Sequence, residues 1–194
     1  MLLRTLLLIF LSSNLLGGGD PLKGKDLVST CSACHGADGN SQVGLWPSLA
    51  GQNEKYLQGQ LDQIKSGKRV IIEMTGLLDN LEKDDLSNIA AFYAAQANIV
   101  GQVSKDSIEA GSKLYYAGSL EKGIPACTAC HSPNGSGNIQ AGYPLLSGQK
   151  PEYLEKTLKE YRSGKRNGSE QALIMQSISS KLNDSEIKAL ANFI

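Results

Sequence analysis

At 194 residues, 41% hydrophobic and 20% charged, the chain carries enough apolar material for one ordinary domain or two small ones, which excludes wholesale disorder. Its 19 basic and 19 acidic residues cancel. A chain without a basic excess lacks the electrostatic footprint of a nucleic-acid binder, so no nucleic-acid partner is expected.

The N-terminus reads first as an address. Arg4, an apolar run from Leu6 to Leu11 reaching Leu16, and then Gly17, Gly18 and Gly19 follow the basic, apolar, small-residue order of a secretory signal peptide. Residues 1–19 are assigned to it, with cleavage near Gly19, although no A-x-A box precedes Asp20. Uncleaved, the same segment would be an anchor. Nothing later approaches the ~18 apolar residues of a membrane span, so the expected product is an exported, soluble protein that meets a membrane only through a partner or an uncleaved N-terminal segment.

Three helical patterns follow. "PLKGKDLVSTCSACHG" predicts a helix from Pro21 to a stop at Gly36. The segment from Asn53 places Tyr56, Leu57, Leu61 and Ile64 at helical spacing, and "EKDDLSNIAAFYAAQ" does so with Leu86, Ile89, Ala90 and Tyr93. Alternating strand patterns are absent.

The chain then repeats itself. Cys31, Cys34 and His35 return as Cys127, Cys130 and His131; "PSLAGQNEKYL" from Pro47 returns as "PLLSGQKPEYL" from Pro144, and "SGKR" from Ser66 as "SGKR" from Ser163. Met74, Leu81, Leu86 and Phe92 return as Met175, Leu182, Ile187 and Phe193. A period this long means duplicated domains rather than a solenoid. The expected fold is all-α, with a first domain over residues 20–98, a linker over 99–106 and a second domain over 107–194. Split near Ser104, the mature halves carry net charges of −3 and +2. Three helices with long glycine-bearing loops make a thin core for roughly 85 residues, so something bulky should complete each unit.

The cysteines name the candidate. C-x-x-C-H is the attachment signature of c-type haem: two sulfurs one helical turn apart add to the vinyl groups of a porphyrin, and the next residue supplies the proximal imidazole. The competing readings are disulfides, a thioredoxin-like pair and a zinc knot of four cysteines. None of them uses His35 and His131, the only histidines, each directly after a second cysteine. Cys31, Cys34, Cys127 and Cys130 are therefore read as binding two covalently attached haem c groups. Met74 and Met175, the only methionines after Met1, occupy matching places in the repeat and are the expected sixth ligands to iron. Thioether ligation favours ferrous iron and a high potential. Pro47 and Pro144 lie in loops where a carbonyl could accept each imidazole Nδ1 proton, and Trp46 and Tyr143 beside them are placed in the pocket wall.

These segments, with "GSKLYY", "EKGIPAC" and the terminal "MQSISSKLNDSEIKALANFI", resemble the dihaem cytochrome c4 family across essentially the whole mature chain. The resemblance implies two tandem class I cytochrome c domains about a pseudo-twofold axis, haem propionates meeting near the interface, and a place in the bacterial periplasm. It implies thioether links at Cys31, Cys34, Cys127 and Cys130, and axial ligands His35, Met74, His131 and Met175. Electron transport from a quinol-oxidising complex toward a terminal oxidase is the implied role, with redox proteins as partners. Two departures stand out. Between "SGKR" and the methionine the first unit is four residues shorter than the second, and the chain ends at Ile194 where the first unit continues through "YAAQ".

Three functions compete on this reading. The first is an electron carrier, since no nucleophile, general base or nucleotide loop stands out. The second is a dihaem peroxidase, which needs one iron to lose its sixth ligand. The third is the cytochrome subunit of a periplasmic dehydrogenase, such as a sulfide-oxidising one. "LKEYRSGKR" gathers Lys159, Arg162, Lys165 and Arg166 and reads either as a solvated helix face or as a docking patch for an acidic partner.

Overall fold

The computed structural model describes residues 18–103 and 105–194, so nearly all of the segment assigned as a signal peptide lies outside the described residues. The first unit contains α1 (Pro21–Leu27), α2 (Ser29–His35), α3 (Glu54–Lys65), a 3-10 turn at Ile72–Met74, and α4 (Lys83–Ala94). The second contains α5 (Lys105–Ala117), α6 (Thr128–His131), α7 (Pro151–Arg162), α8 (Glu170–Ser179) and α9 (Asp184–Phe193). Among the described residues, β structure is confined to the isolated bridges Ser119–Ile124 and Asn138–Tyr143. No helix there is long and apolar enough to cross a membrane.

Local chemistry sets the boundaries. Asp20 Oδ1 accepts from Leu22 N at 2.9 Å, with Pro21 in the first turn, which starts α1 firmly. The expected single helix to Gly36 is two helices, because the backbone leaves helical geometry at Val28. That break separates α2, with its cysteines, from α1. Asn183 and Glu186 form a reciprocal capping box at the start of α9, each bond 2.9 Å long.

In each unit the first helix crosses the last, α1 on α4 and α5 on α9. The crossings are made at glycines. A Cβ on Gly24 would lie 2.0 Å from Asn88 O, and one on Gly111 would lie 2.5 Å from Ala189 O. Gly24→Ala should therefore force α1 off α4 and cost about 1–3 kcal/mol, the usual range for overpacking. Thermal unfolding checks this; an unchanged midpoint would mean that the crossing is loose.

Two small cores result. Val28, Leu57, Ile89, Ala90, Phe92 and Tyr93 form the first, and Tyr115, Ile124, Leu182, Ile187 and Leu190 the second. The four-residue difference after "SGKR" is visible as structure: Met74 ends a single 3-10 turn, whereas Met175 sits within the ten-residue α8.

The units meet through two repeat-equivalent pairs, Ser48 with Leu145 and Gln52 with Gln149, whose members are 97 positions apart in sequence. Ser48 pairs with Gln149 and Leu145 with Gln52, each by two hydrogen bonds of 2.8 and 2.9 Å. Because equivalent residues exchange roles, the interface is isologous, as a pseudo-twofold axis requires. Asn98 Nδ2 adds a bond to Ser147 O at 2.8 Å.

Candidate cofactor site

α2 places Cys31 and Cys34 one turn apart on one face, with His35 in its last residue; Cys127 caps α6, which carries Cys130 and His131. All four cysteines are free thiols. Burial pushes the Cys31 thiol up, and the Cys127 thiol up to about 11. A thioredoxin-like pair needs the opposite shift. Among the described residues no three of the His, Cys, Asp and Glu side chains gather as a metal cluster would require, which removes the zinc knot.

The histidines are held alike. His35, 9% exposed, sets Nδ1 2.9 Å from Pro47 O; His131, 6% exposed, sets Nδ1 3.1 Å from Pro144 O. A carbonyl only accepts, so Nδ1 carries the proton and Nε2 keeps its lone pair. Burial lowers both imidazole pKa values, outweighing the opposing carbonyl bonds, which keeps the rings neutral. Each is a ready metal ligand with its tautomer fixed.

Both histidines and all four cysteines line one cavity of ≈ 1090 Å³ that runs across the interface. That is at the upper end of the roughly 300–1,000 Å³ of single small-molecule pockets, and two complete cysteine–histidine sets line it. Its walls are largely apolar, and include Leu27, Leu61, Leu81, Leu146, Leu158 and Ile178. Met74 and Met175 also line it, as do Trp46 and Tyr143 beside the two prolines. The Tyr143 and His131 rings lie 6.2 Å apart.

At the interface the cavity becomes polar in a way the sequence reading missed. Arg69 Nη2 donates to Tyr153 Oη at 3.2 Å, and its repeat partner Arg166 donates from Nη2 to Tyr56 Oη at 2.6 Å. Both guanidiniums also reach Gln60 Oε1 at 2.7 Å. None of these partners is a carboxylate. Arg166 is 4% exposed, and its Nη1 has no partner among the described residues; neither has Thr157 Oγ1 nearby. A permanent positive charge as deeply buried as Arg166, with half-buried Arg69 beside it, calls for an anion. Their pull is also felt at Tyr153, where burial raises the phenol pKa but the Arg69 and Arg166 guanidiniums outweigh it and hold it well below the ordinary value.

Haem c fits this donor set. Its macrocycle matches the apolar walls, its vinyl carbons the cysteine pairs, its iron the free Nε2 atoms, and its carboxylates the arginines. The geometry also corrects the view of "LKEYRSGKR" as one basic patch. Arg166 is buried at the interface, Lys159 pairs with Glu155, and Arg162 pairs with Asp184 at 2.6 Å. Of the four, Lys165 remains exposed and outside those ion pairs. The repeated "SGKR" was the available signal, since its arginine brackets the interface from both sides.

The family model described as cytochrome c matches residues 22–94 and 108–194. Cytochrome c4 of Pseudomonas aeruginosa is 43% identical over 194 residues, covering 100% of this chain and 96% of that protein. The thiosulfate dehydrogenase electron acceptor of Thiomonas intermedia is 32% identical over 172 residues, covering 86% of this chain and 78% of that protein. The crystal structure of reduced recombinant cytochrome c4 from Pseudomonas stutzeri superposes with a TM-score of 0.89 at 43% identity, covering 91% of this chain and 97% of that one.

Proposed function

This chain belongs to the cytochrome c family, as a two-domain cytochrome of the c4 kind, and on that premise we propose a ligand set and a route for its electrons. The protein is a dihaem electron carrier rather than an enzyme, with two covalently bound haem c groups. Cys31 and Cys34 hold one haem and Cys127 and Cys130 the other; His35 and Met74 ligate the first iron, His131 and Met175 the second. When bound, each haem supplies a one-electron ferric–ferrous couple, poised high by the thioether.

The chain's own residues do the rest. The proline carbonyls fix the imidazoles, the leucine walls exclude water, and Arg69 and Arg166 balance carboxylate charge at the interface. The domains are assigned to residues 20–98 and 107–194, joined by 99–106. The observation that carries the carrier reading is the shared cavity: the cysteine and histidine sets of both units line one space across the interface, so an electron taken up at one site can pass to the other within the protein.

The route runs through the periplasm, from a quinol-oxidising complex toward a terminal oxidase. A second reading, acceptor for a dehydrogenase, is supported by the likeness to the Thiomonas protein. Stopped-flow reduction of the holoprotein by each purified donor separates them, at low salt where steering of weak encounters is strongest. The quinol-oxidising complex should be faster by at least about tenfold, a difference of ~1.4 kcal/mol in barrier. Faster reduction by a thiosulfate or sulfide dehydrogenase would overturn the primary route in favour of the second.

A further inference from the structure

The peptide group joining Pro47 and Ser48 is bonded at both ends. Its carbonyl accepts from His35 Nδ1 at 2.9 Å, and its N–H donates to Gln149 Oε1, from the other unit, at 2.8 Å. Gln149 Nε2 then donates to Ser48 O at 2.9 Å. The same arrangement holds across the pseudo-twofold axis. The Pro144 carbonyl accepts from His131 Nδ1 at 3.1 Å, and the N–H of that peptide, on Leu145, donates to Gln52 Oε1 at 2.8 Å. Gln52 Nε2 donates to Leu145 O at 2.9 Å.

Neither glutamine is free to move. Gln52 Oε1 also accepts from Asn53 N at 2.9 Å, and Gln149 Oε1 from Lys150 N at 3.0 Å, each at the start of a helix. Gln52 is 5% exposed and Ser48 6%. Each pairing therefore has one partner withdrawn from water, the other being half-buried.

We infer that Gln149 and Gln52 are positioning residues that set, across the domain interface, the hydrogen bond of the opposite unit's histidine and through it that unit's reduction potential. The inference rests on reading His35 and His131 as the iron ligands. Its physical basis is peptide polarisation. A donated N–H shifts electron density onto the carbonyl oxygen of the same amide, and linked hydrogen bonds strengthen one another by about 10–30% per bond. A stronger acceptor at Nδ1–H makes the imidazole more basic. A more basic ligand favours ferric iron, so the intact relay lowers the potential and losing it raises the potential. Each unit is thereby tuned by a side chain of its neighbour, which gives the repeat a reason to stay docked besides packing.

The test uses the full-length holoprotein with ¹⁵N-labelled histidine. Gln149→Leu removes both bonds to Ser48, along with the bond from Lys150 N, and puts an apolar side chain of similar bulk in their place. At fixed ambient potential the oxidised-to-reduced ratio of the first haem should fall about threefold, equivalent to ~28 mV at 59 mV per decade. The His35 Nδ1–H resonance should shift and exchange faster with solvent, and the second haem should move much less. Gln52→Leu should give the mirror result at His131. Gln149→Glu keeps an acceptor for Ser48 N–H and adds negative charge, so it should shift the first haem the other way. It also keeps the test open if the leucine variant does not fold.

Asn98→Ala is the control, because it removes the Asn98–Ser147 bond across the same interface and leaves the relay intact. The inference is overturned if Gln149→Leu shifts the second haem instead of the first, if neither haem moves, or if Asn98→Ala reproduces the shifts. Failure of the underlying ligand reading would look different: in the oxidised wild-type protein the His35 and His131 nitrogens would lack paramagnetic shifts.

Discussion

Replacing Cys31 and Cys34 together by alanine will leave the first unit largely unfolded while the second keeps its haem. The reason is the hollowness of the core. Leu57, Ile89, Ala90 and Tyr93 belong to the first buried cluster, yet the same residues line the cavity, together with Leu27, Leu49, Leu61 and Leu81 packed against them. Without a group in that space their inner faces meet water. At about 25 cal/mol per Å² of apolar surface, the loss is comparable with the few kcal/mol that a domain of this size holds in reserve. The helical circular dichroism should fall by roughly half, the first unit's share of the helices, and one haem per chain should remain. Normal helicity with one haem retained would show that the core stands without its cofactor.

Removal of either methionine is expected to have the next largest effect. Met74 and Met175 are the only methionines among the described residues, and both are half-buried in the cavity wall. Met often fills gaps, but a gap-filler need not recur at the matching position of each repeat. Met74→Ala should remove about half of the far-red charge-transfer band of the oxidised protein and lower the first haem's potential, because the thioether is what favours ferrous iron. Met175→Ala should do the same at the second. If Met74→Ala left the band intact, the short 3-10 turn would be supplying no ligand, and an open iron of the peroxidase kind would be the better reading.

Much of this was legible in the chain. The duplication, the C-x-x-C-H pairs and the proline carbonyls are all local or repeat-related signals, and the imidazole–carbonyl bonds stand where the spacing suggested. The four-residue difference announced a change at the distal loop, and α8 is that change. Other features depend on how the units dock, and a repeat reports equivalence without reporting which face is buried. Arg166 illustrates this. By composition it belonged to a basic helix face, but it lies 4% exposed, bonded to Tyr56, 110 residues away. Gln52 and Gln149 likewise stand in the repeated "AGQ" and "SGQ", but their partners lie 93 and 101 residues distant, beyond the reach of local pattern. The break at Val28 was hidden because nothing in "DLVST" forbids a continuous helix.

With one covalently bound haem in each unit, the pair should transfer electrons singly. The most direct test is an anaerobic redox titration of holoprotein whose intact mass has first been measured. The expected result is a mass heavier by two haems, and two one-electron waves that together take up two electrons per chain, with the far-red band lost on reduction at both. A mass heavier by one haem, or a wave at which only one site titrates as a low-spin haem with a methionine ligand, would contradict it.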